Sequence, residues 1–254
     1  MAVELGAASR YNGRVHEMKS RRRLDQILSN YGYCSRSQAR VWVQRGLVTV
    51  AGEVLISADV KVAISDVLVE GEPVECPAGI LALLHKPAGY VCSHGTKEGP
   101  SVYELLPPRW LKRNPPVTTI GRLDKDTTGV LLVTDLGELV QRWTSPKHKV
   151  TKIYEVTVDR DLEPGLVQIF AAGELVLEDE EKACLPATLE IRGPREAWLH
   201  LVEGKFHQVK RMFASQGCTV TRLHRRSFGE IEMGDLQLGK WRLLALPAGF
   251  GREE

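Results

Sequence analysis

The apolar positions near the start of the chain fall at helical spacing. Leu24, Ile27 and Leu28 stand at i, i+3 and i+4 and line one face of a short helix. Ser35 and Gln38 form the S-x-x-Q signature of a capping box, so a second helix begins there, with Ala39, Trp42 and Val43 as its apolar face. Gly46 is placed to end it, because glycine tolerates the left-handed conformation that follows a helix. The period then becomes alternating: Val48 and Val50, a turn at Ala51-Gly52, and Val54-Leu55-Ile56. Residues 66–79 hold a last strand that runs into Gly and Pro. The pattern predicts a small unit over 21–75, a linker at 76–80 and a larger unit over 81–254. Residues 1–20, polar and aperiodic, predict a flexible tail.

In the larger unit, β-branched and apolar runs predict strands at 80–84, 117–120, 130–134, 152–158, 187–191, 198–202, 219–223 and 241–246. Helices are predicted at 137–143, 164–171 and 206–216. Strands outnumber helices and do not alternate strictly with them. That predicts an α+β fold around a central, largely antiparallel mixed sheet flanked by helices.

At 254 residues the chain suits one large or two unequal domains, and 43% hydrophobic with 26% charged residues excludes wholesale disorder. Five cysteines, an odd number with no C-x-x-C pair, argue against a disulfide framework or a zinc site and suit a reducing compartment. There is no H-E-x-x-H spacing, no apolar run long enough to span a membrane, and no signal-peptide core in the first twenty residues. A cytoplasmic protein without membrane contact is expected, and a monomer.

The net charge of +2 taken alone argues against a nucleic-acid partner, but the average hides the distribution. Between Lys19 and Arg45 lie Arg21, Arg22, Arg23, Arg36 and Arg40, with Asp25 as the one acid. Between Lys205 and Arg226 lie Lys210, Arg211, Arg222 and Arg225, with no acid. Lys147, Lys149 and Lys152 form a third cluster, while Glu174 and the acidic run 178–181 lie elsewhere in sequence. Solvated faces are one explanation. Three basic clusters with the acids set apart fit a polyphosphate backbone better.

Three stretches stand out. The loop Gly121-Arg122-Leu123-Asp124-Lys125-Asp126-Thr127-Thr128-Gly129 lies between two predicted strands. Turn chemistry accounts for such a composition; so does a carboxylate held at a strand edge beside basic groups. Whether Asp124 and Asp126 form an acid/base pair is open at this level. In the stretch 203–213, Val209, Met212 and Phe213 make a buried helical stripe. Lys210 and Arg211 then point about 100° apart, so only one enters a site. In 152–156, Tyr154 shares a strand face with Lys152 and Val156. A fourth stretch is a decoy: residues 234–240 fit G-x-x-x-x-G-K, but Trp241 replaces the magnesium-binding Ser or Thr and a strand follows, so it is no P-loop.

GRLDKDTTGVLLVTD, SPKHKVTKIYEV and EGKFHQVKRMF, in this order, closely resemble the motifs of the RsuA-type pseudouridine synthases. Residues 21–68, with RRLDQIL, SRSQA and GLVTVAG, resemble the small RNA-binding domain first known from ribosomal protein S-four. KPAGYVCS, with TSPKHK and HQVKRMF, is most similar to the small-subunit (16S) rRNA type. The resemblance covers the chain except its tail. Two departures are Phe206, where Tyr is common, and Asp135-Leu136-Gly137, where Asp/Asn-Asp-Gly is usual.

The resemblance implies isomerisation of a uridine in ribosomal RNA, uridine-516 of 16S rRNA within a pre-ribosomal particle, with no cofactor. It makes Asp124 the nucleophile. A carboxylate in a partly dry base pocket keeps its charge only beside a cation, and the family position for that cation is Lys210, with Arg211 in reserve. Tyr154 matches the tyrosine that stacks on the base, with a possible part in proton removal. Arg122 matches an arginine that fills the space left by the flipped base; a phosphate contact is the alternative. The other expected RNA contacts are Arg21, Arg22, Arg23, Arg36, Arg40, Arg45, Lys147, Lys149, Lys152 and Arg225. The competing functions are a large-subunit rRNA synthase and a non-catalytic RNA-binding assembly factor.

Overall fold

In the computed structural model, residues 20–95 and 97–252 are described. The expected tail at 1–20 lies, but for Ser20, outside them. The chain begins with β1 (Arg21–Arg23), α1 (Leu24–Asn30) and α2 (Arg36–Gln44). Ser35 caps α2 in a complete capping box, and Leu24, Ile27, Leu28, Ala39 and Val43 are buried against one another, as the spacing predicts. β2 (Val48–Val50) and β3 (Glu53–Val54) follow, then β4 (Lys61–Ala63), β5 (Val67–Val69) and β6 (Glu72–Pro73). They form a four-stranded antiparallel sheet, β3-β2-β5-β6, and a separate β1-β4 pair. Nothing in the run Arg21-Arg22-Arg23 signals a strand. It becomes one because Lys61–Ala63 is there to pair with it.

The larger unit holds β7 (Leu81–Lys86), β8 (Thr118–Ile120), β9 (Thr128–Thr134), α3 (Gly137–Thr144) and β10 (Lys152–Val158). After them come α4 (Leu166–Ala172), β11 (Thr188–Gly193), β12 (Glu196–Leu201), α5 (Gln208–Ala214), β13 (Val220–Phe228), β14 (Ile231–Glu232) and β15 (Trp241–Leu243). Nine strands make one mixed sheet with the path β11-β12-β10-β13-β9-β7-β15; β8 joins β9 and β14 joins β13. All neighbours are antiparallel except β9 and β13. The fold is α+β with a largely antiparallel sheet, as the strand count predicts.

Several predicted ends move; the strand expected at 241–246, for one, stops at Leu243, where its pairing with β7 ends. The helix expected at 206–216 starts at Gln208, because His207 takes a left-handed conformation, φ +47°. The strand expected at 219–223 runs on to Phe228. Its polar HRRS stretch hides it in sequence, yet it lies between β10 on one edge and β9 on the other. The P-loop-like run closes as a turn, with the Gly239 N–H on the His85 carbonyl, and leads into the edge strand β15.

One edge of β9 serves two partners. Its end, Leu132 to Thr134, pairs with β8, and its start, Thr128 and Gly129, pairs with β13. The loop 121–127 therefore emerges where the edge changes partner. Gly129 makes the change possible: at φ +116°, a Cβ there would lie 2.2 Å from the Arg225 carbonyl oxygen. On one side of this seam, α4 and α5 cover β10 to β13; on the other, a second core packs under β7 and β9, and Tyr154 touches both.

The two units meet at a buried ion pair. Arg113 and Asp135, both fully buried side chains, are 2.7 Å apart, and Arg252 adds a second contact to Asp135 at 2.9 Å. The Arg113 guanidinium also donates to the carbonyls of Glu75 and Cys76 and lies 4.7 Å over the Tyr31 ring. The Tyr31 hydroxyl donates to the Pro77 carbonyl. Asp135→Ala would leave Arg113 charged and unpaired in the interior. The expected loss is about 3–5 kcal/mol of unfolding free energy. Urea titration followed by near-ultraviolet dichroism measures it, and a loss under about 1 kcal/mol would refute the role given to this pair.

Candidate active site

The loop 121–127 has little apolar content to pack, so something else must hold it. Lys86, the last residue of β7, does so. It is fully buried, and its ammonium reaches four carbonyl oxygens: Pro87 at 3.1 Å, Asp124 at 3.0 Å, Lys125 at 3.1 Å and Thr127 at 2.8 Å. Among the described residues no carboxylate forms an ion pair with it. Burial lowers the Lys86 pKa to about 8. A turn from the Thr127 N–H to the Asp124 carbonyl completes the loop. Both turn chemistry and a positioned carboxylate are therefore present.

Asp124, a quarter exposed, faces a cleft of about 620 Å³ whose walls include Tyr154, Lys152, Arg122, Thr127, His207 and Arg225. Lys210 Nζ lies 3.2 Å from Asp124 Oδ2 and 2.5 Å from Asp126 Oδ1. His207 Nε2 is 3.4 Å from Asp124 Oδ1. The two carboxylates share a cation instead of a proton, so the geometry does not make them an acid/base pair. Burial opposes charge on Lys210, but the bond to Asp126 and the charge of Asp124 outweigh it and raise its pKa. At Asp126, burial is likewise outweighed by Lys210, and the pKa falls.

Arg211 points away, as the 100° offset requires. Its guanidinium bonds Glu180 Oε1 at 3.1 Å and the carbonyls of Phe206 and Glu178. Gln208, buried, accepts from the Lys205 N–H and donates to Glu203, which fixes the approach to α5 and the placement of His207.

The acids are not set apart in space. Lys205 and Arg211 both pair with Glu180, and Arg226 pairs with Glu155. The run 178–181 folds back against α5, which sequence distance conceals. Arg225 is 2% exposed. Of the second cluster, only Arg222 is exposed without an ion pair among the described residues. That cluster is mostly structural and site machinery, not a phosphate stripe. In the first cluster, Arg23 and Arg36 both reach Asp25, while Arg21, Arg40 and Arg45 are exposed. Arg122 is exposed at the cleft, and Lys147 and Lys149 are exposed in the segment between Thr144 and Lys152, two residues that line it; Lys152 is half-buried, its ammonium 5.6 Å over Phe228. Burial pulls the Lys152 pKa down.

The sequence model for RNA pseudouridylate synthase matches residues 80–215, and that for the S4 domain matches residues 22–74. The chain belongs to the RNA pseudouridylate synthase family. These enzymes are isomerases. The chain is 42% identical to the ribosomal small subunit pseudouridine synthase A of Vibrio parahaemolyticus, over 87% of this chain and 95% of that one. It is 37% identical to the protein of the same name from Escherichia coli K12, over 87% and 96%. A crystal structure of a pseudouridylate synthase superposes with a TM-score of 0.62 at 34% identity, covering 88% of this chain and 96% of the other.

In this synthase, sequence reading passed over Lys86 and His207. KPAG already contained Lys86, but only the folded chain shows that its ammonium is buried and what it holds. His207 sits at the helix start beside the reserve and chosen cations, and its left-handed backbone was invisible.

Lys86→Met is expected to slow turnover about a hundredfold, the scale of a misplacement near 1 Å. In the wild type, raising pH through about 8 leaves an amine with two N–H donors for four carbonyls, so the rate should fall. The folded pKa lies below the ordinary 10.5, so this group by itself adds stability as pH rises from about 8 toward 10.5. Single-turnover rates and thermal midpoints against pH separate the two effects. A rate that falls only in step with unfolding would overturn the assignment.

Proposed function

We propose that this synthase converts uridine-516 of 16S ribosomal RNA to pseudouridine, acting as a monomer on a pre-ribosomal particle. The observation that carries the reading is Asp124 held by a buried ammonium behind it and the Lys210 ammonium in front, at the mouth of a base-sized cleft beside Tyr154. The small-subunit target is supported by the names of the relatives that align over nearly their full length.

Asp124 is the nucleophile, and Lys210 keeps it charged and aimed. The N1–C1′ bond of the uridine breaks, the base turns against Tyr154, and C5 bonds to C1′. The C5 proton leaves and N1 takes one, so no group is gained or lost and no redox step occurs. Stacking suits this because it tolerates rotation about the ring normal. Arg122, exposed at the rim, fills the gap left by the flipped nucleotide. Arg23 and Arg36 are tied to Asp25, and the S4 unit grips the phosphates through Arg21, Arg22, Arg40 and Arg45. Lys147, Lys149 and Lys152 do so at the cleft.

The protein with 16S RNA or a precursor particle tritiated at uridine C5 should release label. Asp124→Asn should cut the rate by about 10³-fold or more with RNA affinity kept. Equal release from both would remove Asp124 from the chemistry, and mapping of the modified position in cellular RNA with and without the gene discriminates a large-subunit target. Affinity should also fall steeply with salt, with a log–log slope of at least about −2, or three phosphates at ~0.7 each. A flat response would sink the phosphate-grip argument.

A further inference from the structure

Two polar atoms of the cleft-lining residues are buried without a hydrogen-bond partner, and the chemistry above uses neither: Arg225 Nη2 and Thr127 Oγ1. Among the described residues, the Arg225 side chain makes one hydrogen bond, from Nε–H to the Val130 carbonyl at 2.7 Å, and no ion pair. A guanidinium carries five N–H donors, and the two on Nη2 are buried here without an acceptor, which is costly unless a ligand completes them. Its position is fixed by that bond, by the Phe228 ring 5.4 Å away, and by the close passage of β13 over Gly129. Across β10 and β13, Arg225 stands directly opposite Tyr154.

We propose that Arg225, assisted by Thr127, holds the uracil by a carbonyl oxygen while the base is detached and turned. Depth selects the base over a phosphate. Arg225 is 2% exposed and level with the tyrosine opposite it, whereas Arg122, also lining the cleft, is exposed to solvent and open to a phosphate. A flipped nucleotide enters base first. When N1–C1′ breaks, the electron pair leaves with the base, and its charge spreads to the carbonyl oxygens. The guanidinium donates a hydrogen bond to one of them, keeps its proton throughout, and releases the contact as C5 bonds C1′ and N1 is protonated. The Thr127 hydroxyl, able to donate or accept, fits the adjacent edge of the ring.

This inference rests on the pseudouridylation reading. The test pairs enzyme and substrate changes: wild type, Arg225→Lys and Thr127→Val, each with RNA carrying uridine, 2-thiouridine or 4-thiouridine at the target. The readout is the single-turnover rate of product nucleoside formation, with RNA affinity measured alongside. Arg225→Lys keeps the charge and loses the fork; it should slow the uridine reaction at least about tenfold, the worth of a charged hydrogen bond, with affinity within about threefold. One of the two thio substitutions, which weaken the acceptor, should slow the wild type yet cost nothing further in Arg225→Lys. Should that variant fail to fold, Thr127→Val must show the same non-additivity. Full additivity for both thio substrates, or a loss appearing wholly as weaker RNA binding, overturns the proposal. If the wild type leaves unmodified uridine unconverted, the functional reading fails first and this inference falls with it.

Discussion

A buried ammonium bonded to carbonyl oxygens, with no ion pair among the described residues, organises the catalytic half of this molecule. Lys86 is buried at the end of β7, next to the edge strand, and the loop that presents Asp124 is wrapped around it through the carbonyls of Asp124, Lys125 and Thr127, with Pro87 as the fourth. Each bond to a charged donor contributes about 1.5–3 kcal/mol, and removing the charge from water costs several. The balance is close enough that burial drags the lysine to about 8. A loop held by carbonyl oxygens instead of side chains keeps its side chains free. Arg122, Asp124 and Asp126 can therefore all point outward from one short segment.

The sheet supplies the place for that loop. A strand edge that changes partner leaves a notch, and Gly129 lets β13 close in beneath it. Two apolar cores meet there, with Tyr154 on their border. A rigid aromatic ring at a seam between cores is positioned by both and covered by neither. The result is a cleft with a polar floor, a carboxylate on one wall and an aromatic face on another.

Charge is used locally. Glu180 absorbs Lys205 and Arg211, Asp25 absorbs Arg23 and Arg36, and Asp135 absorbs Arg113 and Arg252. The last of these joins the RNA-binding unit, the segment after it and the C-terminal residues. Within the basic clusters, the cations that remain exposed without an ion pair are fewer than the sequence suggests.

Much was legible in the sequence because it is local. The capping box at Ser35, the i, i+3, i+4 spacing of the first helix, the stripe of Val209, Met212 and Phe213, and the 100° offset of Lys210 from Arg211 depend on near neighbours and backbone geometry. Ordered motifs likewise picked out Asp124, Tyr154 and Lys210. What only the tertiary structure decided depends on partners far along the chain. Arg21–Arg23 is a strand because Lys61–Ala63 pairs with it. Lys86 is a loop-holder because residues 38 to 41 positions away offer their carbonyls. Glu180 quenches α5 because its loop folds back, and Arg225 is a buried donor beside Tyr154, not a surface cation, because β13 runs between two strands. A charged side chain has the same composition wherever it lies. Its solvent and its partner set what it does, and neither is a property of its neighbours in sequence.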